Sequence, residues 1–515
     1  TALEQLAQWI GTLTPDRIPD EQHRLARMRL VDTFGLIAAA LDHAAGKSLL
    51  AWANANAGGG ATMIGHGGAV QPAVAALVHG SLAHARDFDD TFAESIVHPG
   101  STVIAATLAT AETADAPFET LTAAITVGYE IAARLGAVAG RDFHARGFHA
   151  TGIVGPVAAA AAAGYVKRLD ASQLADAMSL ATSMSSGLLA FMGDGGWSKW
   201  LHTGWSAHGG VTAAELAATG FRGPRHGLDH RYGLYGAFLG RPDAELSRLT
   251  DGLGQTWLGA SAHAKLYPCA HVIQPYIDGA LAVRSAKLAT ANVSVESIAA
   301  VRCVMAPWAI PIVAEPRANK IAPRNDLEAI ASLPFMVAAA FVEGRVDLRT
   351  LDPGTIENPA IRALAARIDF DDARVLDLYA GSGALAIEAL SRGAASAVLV
   401  DSRKRATSVI AANLRSLDLS GRSDVVTSSV GSYLAASRAG KPFDLVFSDP
   451  PYALDTADVE ADLGRLSSDG WLADDALVVV ERDARSSPPT WPEEFDLIVE
   501  KVYGETRVEI GRFTP

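Results

Sequence analysis

The stretch RIDFDDARVLDLYAGSGALAIEALSRGA, residues 367–394, divides the chain into two parts of different character. Before it, apolar residues recur at intervals of three and four along alanine-rich segments, a spacing that predicts helices. Inside it, the strand candidate RVLDLYA is followed by a glycine turn and a helix, and strands then alternate with helices to residue 515. Regular alternation of this kind predicts a parallel, doubly wound α/β sheet.

A multidomain chain with three domains is therefore expected. Residues 1–267 read as successive helices and predict an all-α domain. Residues 268–370 combine the alternating stretch VSVESIAAVRCVMAP with a helix, which predicts a smaller α+β domain. Residues 371–515 predict an α/β Rossmann-like domain, whose last two strands are joined at Gly504 and should pair antiparallel.

Composition limits the classes of protein that fit. The 515 residues carry a net charge of −14 and include only two cysteines, which excludes a disulfide framework and favours a cytoplasmic location. The opening residues lack the features of a signal peptide, and the longest apolar run, residues 152–166, is too short to span a bilayer, so we expect no membrane association. Residues 371–515 hold 15 Lys+Arg against 24 Asp+Glu, without the basic excess of an autonomous nucleic-acid binder.

Ionisable residues concentrate beside glycine and proline in five short segments of the first part. A single histidine is most often a satisfied core or surface residue, but five segments of one style predict a shared pocket, since glycine and proline place them at helix ends. The segments are ARDFDDTF (85–92), VHPGS (97–101), GFHATG (147–152), GGWSKWLHTG (195–204) and KLYPCAH (265–271).

These motifs, in this order, resemble the MmgE/PrpD family, which includes 2-methylcitrate dehydratase, cis-aconitate decarboxylase and iminodisuccinate epimerase. The resemblance covers about residues 1–370 and implies a cofactor-independent lyase or isomerase acting on a small di- or tricarboxylate, and a homodimer formed through this part. It implies a pocket made of Asp87, Thr91, His98, His149, Lys199 and Lys265, with His202 and His271 close by.

The chemistry of these residue types fits such reactions. Lys199 and Lys265 can bind substrate carboxylates and stabilise developing negative charge. His98 or His149 suits proton transfer, and Asp87 is expected to orient an imidazole. No metal is expected: the cysteines are too few for an iron–sulfur cluster, and a zinc site made of histidines is the weaker alternative, because no HExxH or HxxxH spacing joins them.

Two departures from the family pattern stand out in residues 268–370. Phe335 lies where family members often carry a tyrosine, and it cannot donate a proton. The family's smaller domain normally continues and returns to the helical domain, whereas here it ends near Phe370, so this domain is expected to be truncated.

The second part contains two motifs at strand ends. DLYAGSG (377–383) follows a strand and opens a helix, where glycines allow a ligand to approach the backbone, and Asp401 ends the next strand, where a carboxylate can accept from ribose hydroxyls. SDPPY (448–452) follows the fourth strand, and this combination of an acid, two prolines and an aromatic ring suits a flat, amino-bearing base.

This part resembles S-adenosylmethionine-dependent amino-methyltransferases and, more narrowly, the bacterial small-subunit rRNA guanine-N2 methyltransferases. The resemblance implies ribosomal RNA or a small-subunit particle as partner, and it assigns Asp377, Gly381, Gly383 and Asp401 to S-adenosylmethionine and Asp449, Pro450 and Tyr452 to the guanine. The family's basic N-terminal β-hairpin is missing, and IDFDD (368–372) takes its place.

The whole chain is interpreted as a fusion of two enzymes. In the alternative, only one half is catalytic: either the methyltransferase half is a cofactor-binding module with impaired RNA binding, or the first half is an oligomerisation scaffold. Because no extended core is visible across the junction, the halves are expected to melt independently and to separate near residue 371.

Overall fold

The computed structural model describes residues 1–65, 67–242, 244–288, 294–436 and 440–515, and the side chains of residues 287, 288 and 371 are not described. The chain forms two compact units. The first comprises Thr1–Val293 and Asn319–Arg362, and the second comprises Ser294–Ala318 and Ala363–Pro515.

Helices dominate the first unit, and helices and strands alternate in the second. The described helices are α1 (Ala2–Thr12), α2 (Asp20–Ala40), α3 (Ala44–Ala55), α4 (Pro72–His84), α5 (Pro99–Thr113), α6 (Phe118–Ala139), α7 (Asp142–Ala145), α8 (Ala150–Val166), α9 (Ala171–Thr182), α10 (Ser198–Ala218), α11 (Leu234–Leu239), α12 (Ser247–Thr250), α13 (Gln274–Val283), α14 (Ile310–Val313), α15 (Arg317–Ile321), α16 (Asp326–Ile330), α17 (Leu333–Glu343), α18 (Pro353–Ile356), α19 (Pro359–Ala365), α20 (Ala384–Ser391), α21 (Lys404–Ser416), α22 (Val430–Leu434) and α23 (Thr456–Ser468).

The described strands are β1 (Ala57–Thr62), β2 (Ala69–Val70), β3 (Thr91–Phe92), β4 (Ala262–His263), β5 (Val301–Met305), β6 (Ile368–Asp372), β7 (Arg374–Leu378), β8 (Ser396–Asp401), β9 (Ser423–Thr427), β10 (Phe443–Ser448), β11 (Leu472–Asp483), β12 (Phe495–Tyr503) and β13 (Thr506–Phe513).

Helix α8 lies at the centre of the first unit and packs against α5, α6, α9 and α10. Its alanines at 158–163 are fully buried. Small residues on its neighbours let the backbones approach closely: a Cβ atom added at Gly210 would collide with Ala159, and one added at Gly204 would collide with the carbonyl of Leu77. This close packing brings the first residues of α5, α8 and α10 and the last residue of α4 to one place.

Helix α6 is long and apolar enough to cross a membrane, but 94 % of its most apolar window is buried inside the unit. The apolar run at 152–166 also forms a buried helix, α8. The apolar composition of both helices is explained by their burial in the core of the first unit.

Only part of the predicted strand VSVESIAAVRCVMAP is extended in the structure. Its first residue lies outside the described residues, Val295–Ser297 forms a 3-10 turn, and the strand is β5. β5 pairs in parallel with β6, from Val301 opposite Ile368 to Met305 opposite Asp372.

The second unit is built on a seven-stranded sheet of order β12-β13-β11-β10-β7-β8-β9. Strands β7 to β11 pair in parallel, as the alternation of strands and helices predicts. β12 and β13 pair antiparallel across the turn at Gly504, whose positive φ of 62° suits glycine, so this prediction is also confirmed.

Residues 294–318 contribute contacts to the second unit. Arg302 Nη2 lies 2.5 Å from Asp444 Oδ1, and the other oxygen of Asp444 accepts from the Arg374 amide at 2.9 Å. A Cβ atom added at Gly393 would collide with Ala306, so this segment packs directly on the loop before β8. A cut near residue 371, which the sequence analysis expects to separate the halves, therefore removes part of the second unit.

We predict that Arg302→Ala lowers the free energy of unfolding of the second unit by about 1 kcal/mol, because the ion pair is half-exposed. Asp444→Ala should cost about 2 kcal/mol, since it also leaves the Arg374 amide without its acceptor. Differential scanning calorimetry of the full chain measures both. Arg392→Ala, which removes an exposed ion pair with Glu388, is the control and should leave the melting temperature unchanged. Equal melting temperatures of the three variants and the parent would contradict the prediction.

Candidate functional site

Four helix ends bring most of the predicted residues of the first part together. Asp87 follows α4, His98 and His149 are the N-cap residues of α5 and α8, and Lys199 lies in the first turn of α10. Lys265 follows β4, whose pairing with β3 places it beside the other groups. All five side chains are buried.

Asp87 joins the two lysines. Lys199 Nζ donates to its Oδ2 at 2.5 Å, and Lys265 Nζ donates to its Oδ1 at 2.6 Å and to its carbonyl at 2.7 Å. Burial acts to raise the pKa of Asp87, but Lys199 and then Lys265 outweigh it and hold that pKa well below its ordinary value. Asp87 thus contacts two ammonium groups rather than the imidazole that the sequence analysis expects.

The imidazole partner is a different acid, Asp89, and its histidine is His84, which the sequence analysis missed. His84 Nδ1 lies 2.8 and 2.9 Å from the two carboxylate oxygens of Asp89. Burial acts to raise the pKa of Asp89, but His84 and His98 lower it further than burial raises it. The spacing of His84 three residues before Asp87, at the end of an apolar helix, is the sequence feature that points to it.

Four histidines surround one another in the pocket. The ring centroids of His84 and His98 are 4.9 Å apart, and those of His84 and His149 are 5.6 Å apart. His202 Nδ1 lies 3.3 Å from His149 Nδ1. Burial lowers the pKa of His98 and of His149 well below the ordinary value, and it lowers the pKa of His202 to about 4. These three rings are therefore neutral at pH 7 and able to accept a proton.

Thr91 and His271 complete the predicted set. Thr91 Oγ1 lies 3.2 Å from His98 Nδ1, which also lies 3.0 Å from the carbonyl oxygen of Asp90. His271 is only partly buried, and burial followed by the charge of Lys265 lowers its pKa, so it lies at the border of the pocket. Phe335 is fully buried in α17.

A second missed group fixes the segment that carries these residues. Asp90 Oδ2 accepts from Tyr129 Oη at 2.7 Å, and its Oδ1 accepts from the Gly100 amide at 3.0 Å. The guanidinium of Arg29 lies 4.0 Å from the centroid of the Tyr129 ring. These contacts tie the 87–91 segment to α2, α5 and α6, so the pocket is held by the core.

In the second unit, the predicted residues lie at the carboxyl ends of three adjacent strands, β8, β7 and β10. Gly381 and Gly383 have positive φ angles of 56° and 80°, and Gly383 is the N-cap residue of α20. Asp377 Oδ2 accepts from the Ala386 amide at 3.1 Å. Asp401 Oδ2 accepts from the Gly381 amide at 3.0 Å, so this carboxylate shapes the glycine turn.

The electrostatics of this strand end are acidic. Burial, together with the charges of Asp449 and Asp401, raises the pKa of Asp377 to about 7. Burial also raises the pKa of Asp449. The pocket therefore favours a ligand with a positive charge and with hydroxyl or amino groups to donate.

The SDPPY loop is open on one side and anchored on the other. Pro450 is buried, whereas the Tyr452 ring is exposed and its Oη lies 3.2 Å from Thr506 Oγ1. Arg482, which the sequence analysis missed, donates from Nη2 to the Leu454 carbonyl at 2.7 Å. The loop thus presents an aromatic face at the strand end, and contacts with β11 and β13 hold it in place.

The two units thus define two classes of protein, a helical protein with a lysine–carboxylate–histidine pocket and a Rossmann-like protein with a glycine turn. The description "MmgE/PrpD N-terminal domain" matches residues 4–247, and "MmgE/PrpD C-terminal domain" matches residues 267–404. "Conserved hypothetical protein 95" matches residues 360–512. The chain belongs to the MmgE/PrpD family in its first part and to the second family in its last part, which confirms both resemblances.

Three relatives illustrate the two memberships. Cis-aconitate decarboxylase of Aspergillus terreus is 26 % identical over 287 residues, 53 % of this chain and 58 % of the relative. Ribosomal RNA small subunit methyltransferase D of Escherichia coli is 41 % identical over 134 residues, 26 % of this chain and 65 % of the relative. Putative rRNA methyltransferase YlbH of Bacillus subtilis is 34 % identical over 142 residues, 27 % of this chain and 76 % of the relative.

The chain spans less than two thirds of the first two relatives. Both parts match enzymes, which supports the fusion and does not favour the alternative with one binding module or scaffold. The two family matches overlap at residues 360–404, around the junction that the opening stretch marks.

We predict that Asp87→Asn lowers the free energy of unfolding of the first unit by about 3 kcal/mol, because it leaves two buried ammonium groups without a carboxylate. Since the pKa of Asp87 is lowered in the folded state, its stabilising effect is present above its ordinary value of 3.8 and is lost as the pH falls through the lowered pKa. Urea unfolding followed by circular dichroism measures both effects.

Asp142→Asn is the matched control for this experiment. Asp142 and its partner Arg241 are largely exposed, so the variant should stay within about 0.5 kcal/mol of the parent. Equal stability of Asp87→Asn and the control would show that Asp87 does not carry the buried charge balance.

Proposed function

We propose that the first unit is a lyase or isomerase that needs no cofactor and acts on a small di- or tricarboxylate. The observation that carries this proposal is the buried pair of lysines sharing the one carboxylate of Asp87 beside neutral imidazoles. Two ammonium groups on one carboxylate leave a positive charge that an anionic substrate can balance. The similarity to cis-aconitate decarboxylase supports the same substrate class.

The geometry gives each group a role in removing a proton or CO₂ next to a carboxylate. Asp89 accepts from His84 Nδ1 and fixes the orientation of this ring in the pocket. His98 is held in the same way by the Asp90 carbonyl. Lys199 and Lys265 stabilise the enolate-like charge that then develops on the substrate.

Loss of Lys199 tests this proposal. We predict that Lys199→Ala lowers kcat at least about 100-fold on the acid that the parent turns over, because a charge-stabilising donor in a dry pocket is worth several kcal/mol. The assay screens cis-aconitate, 2-methylcitrate and iminodisuccinate. Lys47→Ala, on the exposed side of α3, is the control and should keep full activity. Full activity of Lys199→Ala, or loss of parental activity in EDTA, contradicts the proposal.

We propose that the second unit transfers a methyl group from S-adenosylmethionine to the N2 amine of a guanine in small-subunit rRNA. The observation that carries this is the adjacency of the glycine turn, Asp401 and the SDPPY loop at the ends of β7, β8 and β10. The turn fits the cofactor, since a Cβ atom at Gly381 would meet only the Tyr379 carbonyl, at 3.8 Å, so its backbone is open to a ligand. The similarity to the E. coli methyltransferase supports the substrate class.

Different residues of the site are assigned to the cofactor and to the guanine. When bound, S-adenosylmethionine supplies an electrophilic methyl group. Asp377 and Asp401 would hold it, by accepting hydrogen bonds from its amino and hydroxyl groups and by balancing its positive charge. Asp449 accepts from the amine of the guanine and aims the nitrogen lone pair, Pro450 stiffens the loop, and Tyr452 stacks on the ring.

Substitution of two aspartates distinguishes cofactor binding from methyl transfer. We predict that Asp401→Ala weakens S-adenosylmethionine binding at least about 10-fold, since a charged acceptor that also shapes the turn is lost. Asp449→Ala should bind the cofactor like the parent and lose methyl transfer to small-subunit particles. Isothermal titration and a tritium-methyl assay on the full chain measure the two steps. Asp424→Ala, exposed on β9, is the control; unchanged transfer by Asp449→Ala would refute the role of the SDPPY loop.

A further inference from the structure

Three buried imidazoles of the first unit converge on one point. One ring nitrogen from each of His84, His98 and His149 lies within 4.8 Å of the other two. They come from the end of α4 and the starts of α5 and α8. A tetrahedral zinc ion, with bonds of about 2.0–2.1 Å, needs its nitrogen ligands about 3.4 Å apart, so small rotations of the rings reach this geometry.

Two of the three rings are oriented by acceptors at Nδ1. His84 Nδ1 donates to the Asp89 carboxylate at 2.8 Å, and His98 Nδ1 donates to the Asp90 carbonyl at 3.0 Å. In a neutral imidazole, a proton on Nδ1 leaves the lone pair on Nε2, where a metal ion can bind. Histidines that bind metal ions are oriented in this way, by a carboxylate or a carbonyl that accepts from the ring nitrogen not bound to the metal.

His84 Nε2 is fully buried and has no hydrogen-bond partner in the part of the chain that the structure describes. A buried polar atom without a partner destabilises the folded state, and a cation bound there would supply the missing interaction. This observation is independent of the convergence of the three rings.

The charges around the three rings permit a cation. Asp87, Lys199 and Lys265 together carry one positive charge, and the carboxylate of Asp89 beside His84 offsets it. Asp87 itself is not available as a ligand, because both of its carboxylate oxygens accept from lysine. The ligands are therefore the three imidazoles, and zinc prefers nitrogen ligands of this kind.

We propose that His84, His98 and His149 form a binding site for one Zn²⁺ ion, with the fourth position open, and that the ion inhibits the first unit. Inhibition follows because the ion takes the lone pairs that proton transfer requires. The binding site rests on the geometry of the three rings, whereas the inhibition rests also on the function proposed above for this unit.

The test uses the full chain, stripped of metal and titrated with ZnSO₄ by isothermal calorimetry, with Co²⁺ absorption as a probe of the ligand geometry. We expect one ion per chain and a tetrahedral Co²⁺ spectrum. His84→Ala should lower the Zn²⁺ affinity at least about 10-fold, and Asp89→Asn, which keeps all three ligands, should lower it about 10-fold. His226→Ala removes an exposed histidine outside the site and should bind like the parent.

Thermal melting establishes that the variants are folded, and Asp89→Asn replaces His84→Ala if the latter is not. Absence of one-to-one binding by the parent, or equal Zn²⁺ affinity of the parent and both variants, overturns the site.

With an acid that the parent turns over, Zn²⁺ should abolish turnover and EDTA should restore it. Turnover unaffected at saturating Zn²⁺ overturns the inhibition alone, and failure to find any substrate bears on the proposed function while the calorimetry still decides the site.

Discussion

The first unit depends on one buried interaction, in which the carboxylate of Asp87 is shared by Lys199 and Lys265. Removing each of these three charges from water costs several kcal/mol of free energy, and only close ion pairing offsets that cost. The pairing therefore fixes the end of α4, the start of α10 and the segment after β4 relative to one another. These three side chains together carry one positive charge, which the carboxylate of Asp89 beside His84 offsets.

The same pocket exists only because helices in this unit approach closely. The alanines of α8 and the glycines of its neighbours remove the side chains that would hold the backbones apart. The starts of α5 and α8 then meet, and their N-cap residues His98 and His149 lie beside His84. Burial of these helix ends also lowers the pKa of His98 and of His149, so the packing that builds the core sets the acid–base properties of these two rings.

The second unit obtains its site from sheet topology rather than from buried charge. Parallel strands end at one edge, and the glycine turn, Asp401 and the SDPPY loop lie there because β8, β7 and β10 are neighbours. Residues 294–318 join this unit through β5 and through the Arg302–Asp444 ion pair. The two family matches overlap around the same junction, which agrees with a chain in which one family's segment has become part of the other's fold.

The sheet of the second unit and both of its motifs could be predicted from the sequence, because glycine turns and the alternation of strands with helices are local patterns. The sequence also determined which residue types gather in the first pocket. Their pairing was decided only by the tertiary structure: Asp87 accepts from lysines, Asp89 holds His84, and residues 294–318 belong with the second unit. Such pairings depend on distances between residues far apart in the chain, which no local pattern encodes, and on burial, which sets the charge that each group carries.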